Sequence, residues 1–171
     1  MSGKAGIAWL SVTALNAMSK EAELKSPLET GGVLIGYPAP IANGVVILKA
    51  VGPGPNAIHE PCAFTPDNEF HKEFIASVYK HSGRRLSYLG DWHSHPGGGA
   101  SLSTLDRKTL TKIACFPQAR APRPLMAILA PGPVWSPSVW QARFETRIFR
   151  APKLEVRLLN LIVIEQPTEF A

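Results

Sequence analysis

Cysteine is scarce in this chain: 171 residues hold two, Cys62 and Cys115. They stand far apart and in no Cys-x-x-Cys pair. That fits a reducing cytoplasm better than a disulfide framework, with both read as part-buried free thiols. Long apolar runs are also missing. Nothing approaches the roughly 20 consecutive apolar residues that a membrane-spanning helix needs. The N-terminal stretch MSGKAGIAWLSVTALNAM has no basic region followed by a clean apolar run and a cleavage site, so neither secretion nor a membrane partner is expected. Runs of like charge are absent too. Arg84, Arg85, Arg107, Lys108, Arg143, Arg147 and Arg150 are scattered, so the net charge of +5 favours solubility over a nucleic-acid tract. Repeats, low-complexity blocks and linkers are lacking as well.

What remains is a chain that is 45% hydrophobic and 18% charged, long enough for one domain with a sizeable core and short for two. Ser11 to Lys25 carries Val12, Leu15, Met18, Ala22 and Leu24 near helical spacing, with Ser11 placed to cap. VLIGY, VVILKAV, RRLSYLGDWHSH, LMAILA and VWQARFETRIF read as strands. Pro66 to Lys80 suits a helix with Asp67 near its start and His71 on its exposed side, and Ser103 opens another through about Cys115. The pattern of 154–171 fits a strand or a helix equally. Helices and strands mixed around one sheet give an α+β (mixed α/β) single domain over residues 1–171. Two apparent motifs fail. GPGPNA matches a dinucleotide fingerprint, but Pro53 and Pro55 have no N–H for a pyrophosphate and no helix follows. His59-Glu60 lacks the second histidine of His-Glu-x-x-His, since position 63 is Ala, and reads as a loop.

GDWHSHPGGGASLSTLD, Gly90 to Asp106, is different. On a strand, side chains at i and i+2 share a face, so His93 and His95 project together. Neutral imidazoles suit zinc, and a catalytic zinc has three protein ligands with a fourth position left for water. Pro96 ends the strand, and Gly97, Gly98 and Gly99 permit a tight turn or a close approach from above. Ser103 and Asp106 have capping-box spacing at a helix start. A carboxylate in that first turn can also reach back across the glycines, completing a His93, His95, Asp106 ligand set with Ser103 beside the open position. Hydrolysis there needs a base. Glu29, Glu60, Asp67, Glu69, Glu73 and Asp91 are all available, and spacing does not choose among them.

His-x-His-Pro, then a serine and an aspartate at 103 and 106, resembles the JAMM motif of MPN-type (JAB-domain) metalloproteases. ETGGVLIG, Glu29 to Gly36, is similar to that family's upstream signature, and the resemblance covers about residues 7 to 150. It implies zinc ligands His93, His95 and Asp106, one zinc per chain, Glu29 as general base and acid, and Ser103 as hydrogen-bonder to the transition state. The implied fold is a curved mixed sheet flanked by helices. The implied reaction is hydrolysis after the C-terminus of a ubiquitin-like-conjugated protein. GPGP…FTPDNEF…SGRRLSYLGDWHSHPGG further resembles a bacterial subgroup of CBASS antiphage operons, whose members remove conjugates from a cyclic-nucleotide synthase. A groove opened by Gly97–Gly99 and edged by a strand suits an extended tail added as a further strand.

Three other readings compete. A non-catalytic interaction module would hold zinc in a closed site, but no fourth Cys or His stands near the set. A DNA-linked, RadC-like protein typically has Asn between the histidines, where this chain has Ser94. A hydrolase that trims a sulfur-carrier protein's C-terminus would use the same chemistry on another substrate. Cys62, Cys115, His59, His71 and His81 are assigned no role beyond structure, and Trp92 is expected in the core.

Overall fold

The computed structural model describes residues 6–41, 43–147 and 150–165. Strand β1 (Ile7–Ser11) feeds helix α1 (Val12–Lys25), followed by β2 (Gly31–Pro38) and β3 (Val45–Val51). A small ribbon, β4 (Ile58–Glu60) and β5 (Ala63–Thr65), precedes helix α2 (Asn68–His81) and β6 (Ser87–Ser94). Helix α3 (Thr104–Ala114), β7 (Leu125–Ala130), β8 (Ser136–Arg147), β9 (Arg150–Leu158) and β10 (Asn160–Ile164) complete the chain. Eight strands form one curled mixed sheet in the order β10-β1-β3-β2-β6-β7-β8-β9. β6 and β7 are parallel, whereas β2 is antiparallel to both its neighbours.

Period-two alternation sorts side chains to the two faces of this sheet. Leu34, Ile47, Trp92, Leu125, Ala127 and Leu129 pack against Ala14, Met18 and Ala22 of α1. On the opposite face Val33, Ile35 and Leu48 meet Phe70, Phe74, Ile75 and Val78 of α2, while Met126 and Ile128 meet Leu110 of α3. In α1 the buried positions are 14, 18 and 22, one residue per helical turn; Leu24 turns outward and is 72% exposed. Truncating Met18, which is fully buried, would cost about 2–5 kcal/mol by the usual core-cavity scale.

The helices lie where the sequence pattern predicts them, capped by Ser11, Asp67 and Ser103. The C-terminal stretch resolves as strand: β9 antiparallel to β8, then β10 parallel to β1. Positions 148–149 and 166–171 of the expected elements lie outside the described residues. Some expectations fail. β1 has no strong signal of its own, because five residues before a helix cap show too little alternation to stand out. His59-Glu60 is not a loop but β4, paired with β5 around the turn at Pro61 and Cys62. A residue before proline is pushed to extended backbone, which suits Glu60 to a strand end. Cys62 and Cys115 are exposed rather than part-buried, one in that turn and the other at the end of α3.

Candidate metal centre

The antiparallel register between β2 and β6 pairs Gly31 with His93. It continues past the strand ends: Ser94 N–H donates to the Thr30 carbonyl (2.8 Å), and Thr30 N–H donates to Ser94 Oγ (3.1 Å). Carried one residue further, the same register sets Glu29 opposite His95. Alternation therefore gives Glu29, His93 and His95 one shared face, while buried Thr30 and Ser94 occupy the other. Ser94, the middle residue of His-Ser-His, is the tie between the glutamate segment and the histidine strand. Trp92 lies in the core on the α1 side, as expected, and its indole N–H donates to the Val51 carbonyl.

Gly31 is there because nothing larger fits. A Cβ at that position would come within 2.3 Å of the Trp92 carbonyl oxygen and 2.5 Å of the Phe64 ring. Phe64, from β5, lies beside His93 with ring centroids 6.4 Å apart. Gly97 and Gly99 have open space where a Cβ would stand, so no packing among the described residues demands glycine there.

His93 Nε2 and His95 Nε2 approach to 3.0 Å, and His93 Nε2 lies 3.1 Å from Asp106 Oδ1. His95 Nε2 is 3.8 Å from Asp106 Oδ2, and the ligand atoms of the three residues all fall within 4.8 Å of one another. His95 Nδ1 stands 3.0 Å from the Gly99 carbonyl. A carbonyl only accepts, so Nδ1 carries the proton and Nε2 presents its lone pair inward. Two imidazole nitrogens and a carboxylate at these separations are held together by a proton on an imidazole or by a shared metal ion. Ligand pairs around a tetrahedral zinc are about 3.3 Å apart at bond lengths of about 2.0–2.1 Å, so the donor set fits a metal ion.

Asp106 divides its two oxygens. Oδ2 accepts the Ser103 N–H (2.6 Å), closing a capping box in which Ser103 Oγ accepts the Asp106 N–H (3.1 Å). Oδ1 is left facing His93. Burial alone would raise the Asp106 carboxyl, but hydrogen bonding and charge from His93, with the bonds to Ser103, outweigh it and hold the group well below the usual carboxylate range. Glu29 behaves in the opposite way. Burial pushes it above the ordinary glutamate value, although His93 and His95 pull it down.

Among the other candidate bases, Asp67 caps α2 and Glu69 pairs with Lys72 on its surface (2.6 Å). Asp91 shares the face of His93, but burial raises it and its carboxylate accepts the Tyr88 hydroxyl (2.7 Å). Glu29 is the one whose carboxyl feels the charges of all three clustered residues.

A family model described as prokaryotic homologs of the JAB domain matches residues 11–145. The chain belongs to that JAB family. This JAB domain is 38% identical over 149 residues to "Probable metalloprotease y4qB" of Sinorhizobium fredii (strain NBRC 101917 / NGR234), covering 86% of this chain and 90% of that protein. It is 29% identical over 111 residues to a "CD-NTase/cGAS isopeptidase" of Enterobacter hormaechei subsp. hoffmannii (strain UCI 50), which spans 65% of this chain and 60% of that one. The solution structure of protein DSY2949 from Desulfitobacterium hafniense shares the JAB domain's fold, with a TM-score of 0.66 over 95% of both chains at 17% identity. A hydrolase of the metalloprotease and isopeptidase type, with a metal ion at its site, is the reading these relatives and the donor set share. Among the described residues of the JAB domain, no helix is long and apolar enough to cross a membrane.

The sequence pattern misses two features beside the site. One is Phe64, which falls in the FTPDNEF stretch but is given no place at the site by it. The other is an apolar trough of about 770 Å³ on the same sheet face, lined by Phe64, His71, Ile75, Tyr79, Tyr88 and Asp91 among others. His71, expected at the surface, is buried at 6% exposure because its ring turns under α2 and its Nε2 lies 2.8 Å from the Gly52 carbonyl. A strong amphipathic pattern on α2, with His71 one turn before Ile75, is the signal that could have placed it.

Proposed function

We propose that this chain is a zinc-dependent isopeptidase that cuts after the C-terminus of a ubiquitin-like-conjugated protein, removing conjugates from a cyclic-nucleotide synthase in bacterial antiphage (CBASS) defence. The observation that carries the reaction is the convergence of His93, His95 and Asp106 on the face shared with Glu29. Support for the substrate class comes from the relative whose name describes an isopeptidase of a CD-NTase. Two exposed free thiols suit a reducing cytoplasm as the compartment.

His93, His95 and Asp106 would hold the zinc, which when bound supplies a Lewis acid that acidifies water and polarises the scissile carbonyl. Glu29 takes a proton from the attacking water as its oxygen bonds to the carbonyl carbon. The Ser103 hydroxyl, whose oxygen accepts from the Asp106 N–H, keeps its own proton to donate to the developing oxyanion. Glu29 then passes its proton to the lysine nitrogen as the C–N bond breaks, leaving a free carboxyl terminus and a free amine. A raised Glu29 carboxyl is the stronger base and so favours the first transfer, from water to the carboxylate.

Gly97, Gly98 and Gly99, exposed and open, form the approach for an extended tail. β6 is internal to the large sheet, so the edge available to a tail is that of the β4–β5 ribbon beside the site, where it can add as a further strand. The trough offers apolar surface for the folded body of the substrate. Purified protein should carry about one zinc per chain and release intact synthase from its conjugate in a chelator-sensitive reaction, much faster than it cuts an unstructured peptide with the same cleavage site. Glu29→Gln should keep zinc and lose roughly a hundredfold or more in turnover. Equal rates on both substrates, or cleavage of a sulfur-carrier protein alone, would overturn the substrate assignment.

A further inference from the structure

The β4–β5 ribbon grips the main chain of Glu29. Glu29 N–H donates to the Glu60 carbonyl at 2.8 Å, and His59 Nδ1 lies 2.9 Å from the Glu29 carbonyl. That carbonyl only accepts, so His59 donates from Nδ1. Both backbone groups of one residue thus bond adjacent residues of β4, and the next residue, Thr30, bonds Ser94 on the other side. In extended backbone the N–H and C=O of a residue point to one side, those of the next residue to the other, and side chains stand perpendicular. Holding the 29 carbonyl therefore sets the direction in which the Glu29 carboxyl leaves the chain.

We infer that His59 is a positioning residue for Glu29, orienting the base through its carbonyl. This rests on reading Glu29 as the base. It assigns a task to the His59-Glu60 pair, which has no place in any His-Glu-x-x-His motif. Phe64 supports the same grip from β5 by lying over Gly31, two residues from Glu29. Without the His59 bond, the carbonyl turns to water and the ribbon end keeps a single hydrogen bond to Glu29. Misplacement of a catalytic group by about 1 Å costs on the order of a hundredfold in rate.

The test compares His59→Ala, His59→Asn and His59→Gln in the full chain. Asn carries its amide nitrogen at the same distance from the backbone as Nδ1, whereas Gln carries it one carbon farther out. The Ala and Gln variants should lose roughly 10- to 100-fold in kcat with KM and metal content unchanged, and Asn should recover most of the loss. A residue that merely fills space would be rescued equally by Asn and Gln. Independently of activity, amide hydrogen exchange at Glu29 in metal-free protein should quicken roughly tenfold or more in His59→Ala and return in His59→Asn. Unchanged exchange at Glu29, or no difference between Asn and Gln, would overturn the assignment. Glu29→Gln is measured alongside. If that variant keeps its turnover, the base reading fails by itself, and the exchange data alone decide whether His59 holds the segment.

Discussion

At the start of α2, the Asp67 carboxylate accepts the Phe70 N–H (3.1 Å) and the Asn56 side-chain amide (2.8 Å). At the start of α3, Ser103 accepts the Asp106 N–H, and the Asp106 carboxylate accepts the Ser103 N–H in return. Both termini satisfy orphan amides with short polar side chains, and both carboxyls are held below their ordinary value. In Asp67 the depression comes first from the Phe70 N–H; in Asp106 it comes from His93 and Ser103 against the opposing effect of burial. The difference is what faces the second oxygen. Asp67 meets the loop at Asn56, whereas Asp106 meets the His93 imidazole delivered by β6, with His95 3.8 Å from its capping oxygen. Capping and the proposed metal binding are therefore not rival explanations of Asp106: the capping box occupies Oδ2 and leaves Oδ1 facing His93.

The comparison breaks most visibly at the ligand. Asp106→Ala should abolish metal retention and lower turnover by more than about 100-fold, beyond what losing a supporting hydrogen bond to a ligand costs. Elemental analysis and a conjugate-release assay would show it. Ser103→Ala is expected next, keeping the metal but losing roughly 10²–10³ in kcat if its hydroxyl reaches the oxyanion. The same change removes one side of the capping box and should lower stability by about 1 kcal/mol, read by urea unfolding.

Acid titration of metal-free protein sharpens the contrast further. A carboxyl whose folded value is depressed contributes stability that is complete above its unfolded value near 3.8 and lost as pH falls through the folded one. Stability should therefore fall below about pH 4, and Asp106→Asn should flatten that slope. A slope unchanged in the variant would mean that the His93 contact does not hold the carboxylate in solution. The smallest effect is expected at the other helix: Asp67→Ala should lower Tm by roughly 2–4 °C and leave metal content and turnover unchanged.

Much of this was legible before any coordinates, for reasons that can be named. Spacing placed His93 and His95 on one face, because period two is a property of any strand. Ser103 and Asp106 announced a helix start, because orphan amides need those side chains wherever they occur. Glu29 was one of six acidic candidates until a resemblance singled it out, and no local rule could have done so. Its place opposite His95 depends on the register between β2 and β6, set 64 residues apart in sequence by Thr30 and Ser94.

The sequence by itself determined the three helices, their caps, five of the strands and the chemistry available at each, since these rest on interactions within a few residues. It also carried the motif that belongs to the JAB family. Only the tertiary structure decided how the pieces meet. It turned His59-Glu60 into a strand that holds Glu29, buried His71 under α2, laid Phe64 over Gly31, and showed that Gly31 is imposed by packing while Gly97 and Gly99 are not. Such contacts join residues distant along the chain, and their geometry follows from sheet order and close packing, which no local pattern encodes.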